Sequence, residues 1–207
     1  MALTSLDPNP ALILVDLQKV IAHAAPARPV IAHAAQLAEA FRARGLAVVL
    51  VQLASHHGST APGRTDAPRP QHLAGTPPPD WHHLVDELAR HPDDIIITKR
   101  NWGAFYGTDL DLHLRRRGIS QIVLGGVATS IGVESTARSA HEHGYHLALV
   151  TDAMADLDPA SHQHSVDKIF PRLGQTTTTA EVLTLLAAQE TNGTFSSSTV
   201  IGSVATS

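Results

Sequence analysis

The stretch Leu124-Gly125-Gly126-Val127-Ala128-Thr129-Ser130-Ile131-Gly132-Val133-Glu134-Ser135-Thr136-Ala137-Arg138-Ser139-Ala140 decides the fold. It follows directly on an apolar run, 121–124, which reads as a strand. Gly125 and Gly126 open the turn after it, and residues 130–143 form a helix that Gly144 ends. Small residues crowd this strand-to-helix turn. Backbone N–H groups therefore lie open at a helix start, where an anion or an oxyanion is stabilised. Tight helix–sheet packing calls for small residues too. Neither Gly-x-Gly-x-x-Gly nor Gly-x-x-x-x-Gly-Lys-Ser/Thr fits, so this is not a phosphate loop, and a nucleotide-binding domain lacks its signature here.

Outward from this turn the same alternation repeats. Residues 11–15, Ala-Leu-Ile-Leu-Val, are a buried strand ending at Asp16. Residues 30–44 have helical spacing, with Ile31, Ala34, Ala35, Ala38 and Phe41 on one side and Gly45 as the stop. Strands follow over 46–53, 95–98 and 146–150, with a sixth near 174–176. Helices are expected over 81–90, 109–117, 161–170 and 179–189. Residues 56–79 are rich in Pro, Gly and His and read as a long loop of the kind that serves as a lid or oligomer arm. Apolar strands alternating with helices imply a mostly parallel sheet of five to six strands, covered on both faces. The expected organisation is one α/β domain over 1–190 and a flexible tail over 191–207.

Composition narrows the functions open to such a domain. The 207 residues suit a single domain, and 43% apolar with 16% charged residues is a globular balance. The chain has no cysteine, which excludes disulfides, thiolate metal sites and thiol catalysis. A formal charge of -4 with no Lys/Arg block argues against a nucleic-acid partner. No signal peptide is visible, and no apolar run approaches the ~20 residues that span a bilayer. The expected compartment is the cytoplasm, with no membrane partner.

In a parallel sheet, ligands bind beyond the carboxyl ends of the strands. That rule selects Asp16, Lys99 and the turn 127–132. Asp16 ends a strand of pure hydrocarbon, where a carboxylate is costly to bury unless something pairs with it. Lys99 alone would read as a surface lysine whose stem snorkels past the sheet edge. Both charges nevertheless fall at the same end of the sheet. Trp102, Phe105 and Tyr106 follow Lys99, a local concentration in a chain poor in aromatics; they fit a pocket wall or ordinary packing, and for Phe105 the two readings are even. The fourteen histidines are scattered.

Three blocks carry a resemblance: Leu-Ile-Leu-Val-Asp16-Leu-Gln, Thr-Lys99-Arg-Asn-Trp-Gly-Ala-Phe105-Tyr-Gly-Thr108-Asp-Leu, and Gly126-Val-Ala-Thr-Ser-Ile-Gly132-Val-Glu-Ser-Thr136-Ala-Arg-Ser-Ala140. In order and in secondary structure they resemble the signatures of the isochorismatase-like, or cysteine hydrolase, superfamily. The similarity spans about residues 11–188. It implies a three-layer α/β/α sandwich, a small-molecule substrate and a homodimer or larger homo-oligomer, with residues 61–79 a plausible contact. It also implies an Asp–Lys–Cys triad, with Asp16 and Lys99 in the first two positions and Gly132 in the third. A cis peptide between Val127 and Ala128 is implied too, aiming the N–H groups of Ala128 and Gly132 at a substrate oxygen. Asp152 matches a structural aspartate of the family.

Gly132 departs from most of that family, since glycine offers no nucleophile. The Asp-x-His-x-x-His metal pattern of nicotinamidases is reduced to Ser55-His56-His57, so no metal and no other cofactor is expected. True isochorismatases, which cleave an enol ether, carry glycine at this place. There the acid protonates the enol carbon and water attacks the oxocarbenium ion. On that pattern Asp16 is the general acid, and Lys99 orients it or the substrate carboxylates. Those enzymes tend to have Tyr-Ala-His where this chain has Ala128-Thr129-Ser130, a departure that leaves the substrate open. Neither Ser130 nor Ser135 matches the nucleophile position. Two functions remain open: a cysteine-free hydrolase of small carboxylated molecules, and a non-catalytic binding or scaffold protein. Against Lys99, burial and charge pull the Asp16 carboxyl in opposite directions.

Overall fold

Residues 11–15 carry no polar side chain because the strand they form is covered on both faces. The computed structural model describes residues 3–19, 28–54, 66, 79–88 and 91–196. Its strands are β1 (Ala11–Val15), β2 (Val48–Leu53), β3 (Ile95–Lys99), β4 (Gln121–Val127), β5 (His146–Ala155) and β6 (Gln175–Thr177). They form one six-stranded sheet in the order β3-β2-β1-β4-β5-β6. Every pairing in it is parallel. The order reverses direction between β1 and β4, which makes their carboxyl ends the switch point where such sheets bind ligands.

Alternation along each strand divides the core in two. Leu12 and Leu14 of β1 join Leu37 and Phe41 of helix α1 (Arg28–Ala43) and Val182 and Leu186 of the last helix (Thr179–Ser196). Ala11, Ile13 and Val15 face the other way. They meet Leu110 and Leu114 of α2 (Leu110–Arg116) and Ala137 and Ala140 of α3 (Glu134–Glu142). The result is the expected three-layer α/β/α arrangement.

Several boundaries differ from the sequence reading. The helix expected over 81–90 is only a short 3-10 turn, Asp86–Leu88, among the described residues. The expected helix over 161–170 is present and longer, with a π turn (Ser165–Ile169) set without a gap between α4 (Pro159–His164) and α5 (Phe170–Leu173). The last helix, α6 (Thr179–Ser196), runs past the expected end at Gln189. Residues 197–207 of the expected tail lie outside the described residues. Of the long loop over 56–79, only Asp66 and Pro79 are described, so His56 and His57 fall outside as well. No helix among the described residues is long and apolar enough to cross a membrane.

The difference that matters most is at the end of β4. The strand does not stop at Leu124 but continues through both glycines to Val127. Gly126 pairs with Val15 at φ 125°, and a Cβ there would drive into the backbone of Val15. A Cβ on Gly125 would lie 3.0 Å from the Ala153 carbonyl oxygen. These glycines let three central strands approach one another; they do not make a turn. The β4–β5 register shifts between Leu124 and Gly126, and β5 correspondingly runs on through Asp152 to Ala155. Gly126→Ala is therefore expected to destabilise the fold by about 3 kcal/mol or more, since the clash is with backbone and the φ is unfavourable as well. A urea titration would show a lower midpoint at unchanged slope.

Candidate active site

Asp16 leaves β1 at φ 54°, a left-handed conformation that aspartate tolerates better than most residues. Its N–H still donates to the Val51 carbonyl at 3.0 Å, which ties it to the end of β2. The side chain is turned inward and the residue is 5% exposed. Lys99 ends β3 and is 1% exposed. Its four-carbon stem carries the ammonium past the end of β2, to 2.7 Å from Asp16 Oδ2. Nζ also donates to the Trp102 carbonyl at 2.6 Å. The two charges selected from strand ends thus form a buried ion pair.

Burial pushes the Asp16 carboxyl up to about 6, while the charge and hydrogen bond of Lys99 pull it down. Desolvation therefore wins the opposition left open by the sequence. Oδ2 faces the lysine. Oδ1 is buried and has no hydrogen-bond partner among the described residues. A polar atom in that state is costly unless something else engages it.

The turn after β4 lies over this pair. The Val127–Ala128 peptide is cis. The Ile131 and Val133 N–H groups each donate to the Ala128 carbonyl at 3.2 Å, within a π turn, Thr129–Val133, that leads into α3. A Cβ on Gly132 would sit 3.1 Å from Asp16 Oδ2, 3.2 Å from Lys99 Nζ and 3.2 Å from Val15 Cγ1. Asp16, Lys99 and position 132 therefore converge on one point, and no side chain occupies the third position.

Other residues hold this turn that sequence reading did not find. Asp156 Oδ2 accepts from the Ser130 N–H at 2.7 Å and from its hydroxyl at 2.8 Å. Thr129 Oγ1 lies 2.8 Å from His162 Nδ1. Thr136 Oγ1 donates to the Gly132 carbonyl at 2.7 Å and accepts from the Ala104 N–H at 3.1 Å. The signal that found Asp16, an acid at the end of an apolar strand, also marks Asp156 once β5 is seen to end at Ala155. Asp152 interrupts that strand and drew attention instead. Its carboxylate accepts from the N–H and hydroxyl of Thr179 at 2.8 and 3.0 Å, a structural role.

The three aromatics after Lys99 are not brought together. Phe105 is buried in the core, stacked on His143 at 4.9 Å and tilted against Tyr145 at 6.0 Å. Trp102 and Tyr106 are 62% and 77% exposed. Trp102 meets the site through its carbonyl group. Val127 is buried and Ala128 is half-buried at the turn itself. Among the described residues, no group of three His, Asp or Glu is placed to hold a metal ion.

Residues 10–181 match the family profile described as isochorismatase domain. The chain is 45% identical over 174 residues to the isochorismatase family protein YwoC of Bacillus subtilis (strain 168), covering 84% of this chain and 92% of that one. It is 35% identical over 180 residues to the ureidoacrylate amidohydrolase RutB of Stutzerimonas stutzeri (strain A1501), covering 74% and 69%. Among solved structures, an isochorismatase family protein from Burkholderia thailandensis superposes with a TM-score of 0.78. The identity is 41%, and the match covers 88% of this chain and 98% of that one.

Removing one member of a buried pair leaves the other uncompensated. In Lys99→Met the Asp16 midpoint, followed by side-chain carboxyl NMR, is expected to rise above about 6, because only the raising cause survives. The folded state then holds a proton that the unfolded chain releases at lower pH. Stability of the variant should accordingly fall as pH rises from about 4 toward neutrality.

Proposed function

The chain belongs to the isochorismatase domain family, and from that premise we propose that it is a hydrolase that cleaves an enol ether of a small carboxylated molecule, without a side-chain nucleophile. The observation that carries this reading is the convergence at Gly132. The acid and the lysine are in place, and the third position has only backbone. The relative named as an amidohydrolase does not extend its chemistry to this chain by way of a thiol, since there is no cysteine here.

In this mechanism Asp16 Oδ1 carries the proton, because Oδ2 is engaged by Lys99. The proton passes to the terminal enol carbon, and the ether-bearing carbon becomes an oxocarbenium ion. Water adds to that carbon and its released proton returns to Asp16. The hemiketal then collapses to a carbonyl compound and an alcohol. Lys99 stabilises the carboxylate formed at the moment of transfer. The turn N–H groups of Ala128 and Gly132 hold a substrate oxygen.

Isochorismate and simpler carboxylated enol ethers test the reading. Asp16→Asn is expected to lower kcat/KM by ~10²–10⁴-fold, the usual contribution of a positioned acid. Lys99→Ala should lower it as well. Unchanged turnover in both variants, or no turnover by the parent chain alongside measurable ligand binding, would sink the proposal; the latter result identifies a binding protein. Because the acid form does the work, kcat/KM should decline by about tenfold per pH unit above about 6. A profile rising through that region would instead indicate a general base.

A further inference from the structure

The turn over Asp16 and Lys99 is held at two ends. At the Gly132 end, the Thr136 hydroxyl ties the Gly132 carbonyl to the Ala104 N–H. The same loop supplies the Trp102 carbonyl that receives Lys99. At the other end the tie is Asp156, which follows β5. It is 7% exposed, and one of its oxygens takes both Ser130 hydrogen bonds. Its other oxygen lies 3.4 Å from the Asp158 N–H. Asp158 in turn caps α4 through the Ala160 and Ser161 N–H groups. Beside Ser130, fully buried Thr129 meets His162 of α4. Asp156 thus joins the turn after β4 to the segment after β5.

We infer that Asp156 is a positioning residue: its carboxylate, holding the Ser130 N–H and hydroxyl, clamps the turn that roofs the Asp16–Lys99 pair. A carboxylate suits this task because one oxygen can accept two donors at once and makes both bonds charge-assisted. The purpose of the clamp is to keep bulk water, as opposed to the one reacting molecule, from Asp16. A Cβ on Gly132 would lie 3.1 Å from Asp16 Oδ2 and 3.2 Å from Lys99 Nζ, so the turn sits directly over the pair and its outward movement would admit water there. The charged group facing Asp16 among the described residues is Lys99, which is fixed from the other side.

This role rests on the reading of Asp16 as the working acid, yet its test needs no substrate. The Asp16 midpoint is followed by side-chain carboxyl NMR in the full chain and in Asp156→Ala, Asp156→Asn and Ser130→Ala. In Asp156→Ala the turn is released and the midpoint is expected to fall by about one pH unit toward the ordinary carboxylate range. Asp156→Asn retains an acceptor oxygen and should stay near the parent value. Ser130→Ala loses one of the two bonds and should fall between them. If Asp156→Ala folds by circular dichroism with an unmoved midpoint, the clamp is refuted. If Asp156→Asn moves as far as Asp156→Ala, charge and not geometry is responsible, and the clamp is refuted again. Should Asp156→Ala fail to fold, Ser130→Ala decides on its own, and an unmoved midpoint there overturns the proposal. A parent chain inactive on enol ethers would overturn the assignment of Asp16 as acid without touching these titrations.

Discussion

Everything at this site depends on an ion pair kept away from water. A carboxylate and an ammonium at 2.7 Å attract strongly in a poor dielectric, but each loses its hydration to get there. Here the balance is unequal. Lys99 has a second acceptor in the Trp102 carbonyl, while Asp16 has one oxygen paired and one unpartnered among the described residues. The burden of desolvation therefore falls on the acid, and its carboxyl is pushed up despite the lysine beside it. A surface pair of the same length would hold its carboxyl in the ordinary range or below it. Two strands and a turn are arranged to prevent that: β1 delivers the acid, β3 the lysine, and the turn after β4 covers both.

Glycine makes this covering possible at two places, for different reasons. At Gly126 the requirement is backbone against backbone. The central strands meet so closely, at a φ that favours glycine, that no side chain fits. At Gly132 the backbone is ordinary, and what a Cβ would meet is the ion pair itself, at 3.1 and 3.2 Å. The first glycine serves the fold. The second keeps a side chain away from the point on which the acid and lysine converge. Substituting them would consequently have different signatures, one in stability and one in the chemistry above the pair.

Much of this was legible in the residues. The apolar run over 11–15 gave a strand because no solvent-facing side had to be provided for, whereas 95–98, at the sheet edge, leaves Thr98 exposed. The two charges that follow them stand out because charge at the end of a hydrocarbon strand needs a partner. The parallel order then put both at one edge. What was not legible came from contacts remote in sequence. Gly125 and Gly126 read locally as a turn, and only the proximity of Val15 and Ala153 makes them strand residues. The π turns of 129–133 and 165–169 have no signal in helical spacing. For Phe105 the sequence leaves a pocket wall and ordinary packing level, because its ring meets His143 and Tyr145, which are distant in the chain. Asp156 was hidden behind Asp152, since a polar residue inside β5 ended the strand too soon.

The arrangement also bears on how one framework could serve two chemistries. With a thiol in the third position, an Asp–Lys pair would have to accept a proton, which favours a carboxyl that is readily ionised. With glycine there, the proposed reaction asks the same carboxyl to give a proton up, which favours one that holds it to higher pH. Burial and the lysine's charge oppose each other on Asp16, so changing the depth of cover shifts the pair from one regime toward the other without moving either charged residue. The cover is set by the backbone turn and by the side chains that tie it down. On the proposed reading, then, the residues that tune the acid need not touch substrate at all, and it is through the turn's anchorage that a chain lacking the nucleophile keeps its remaining pair suited to acid chemistry.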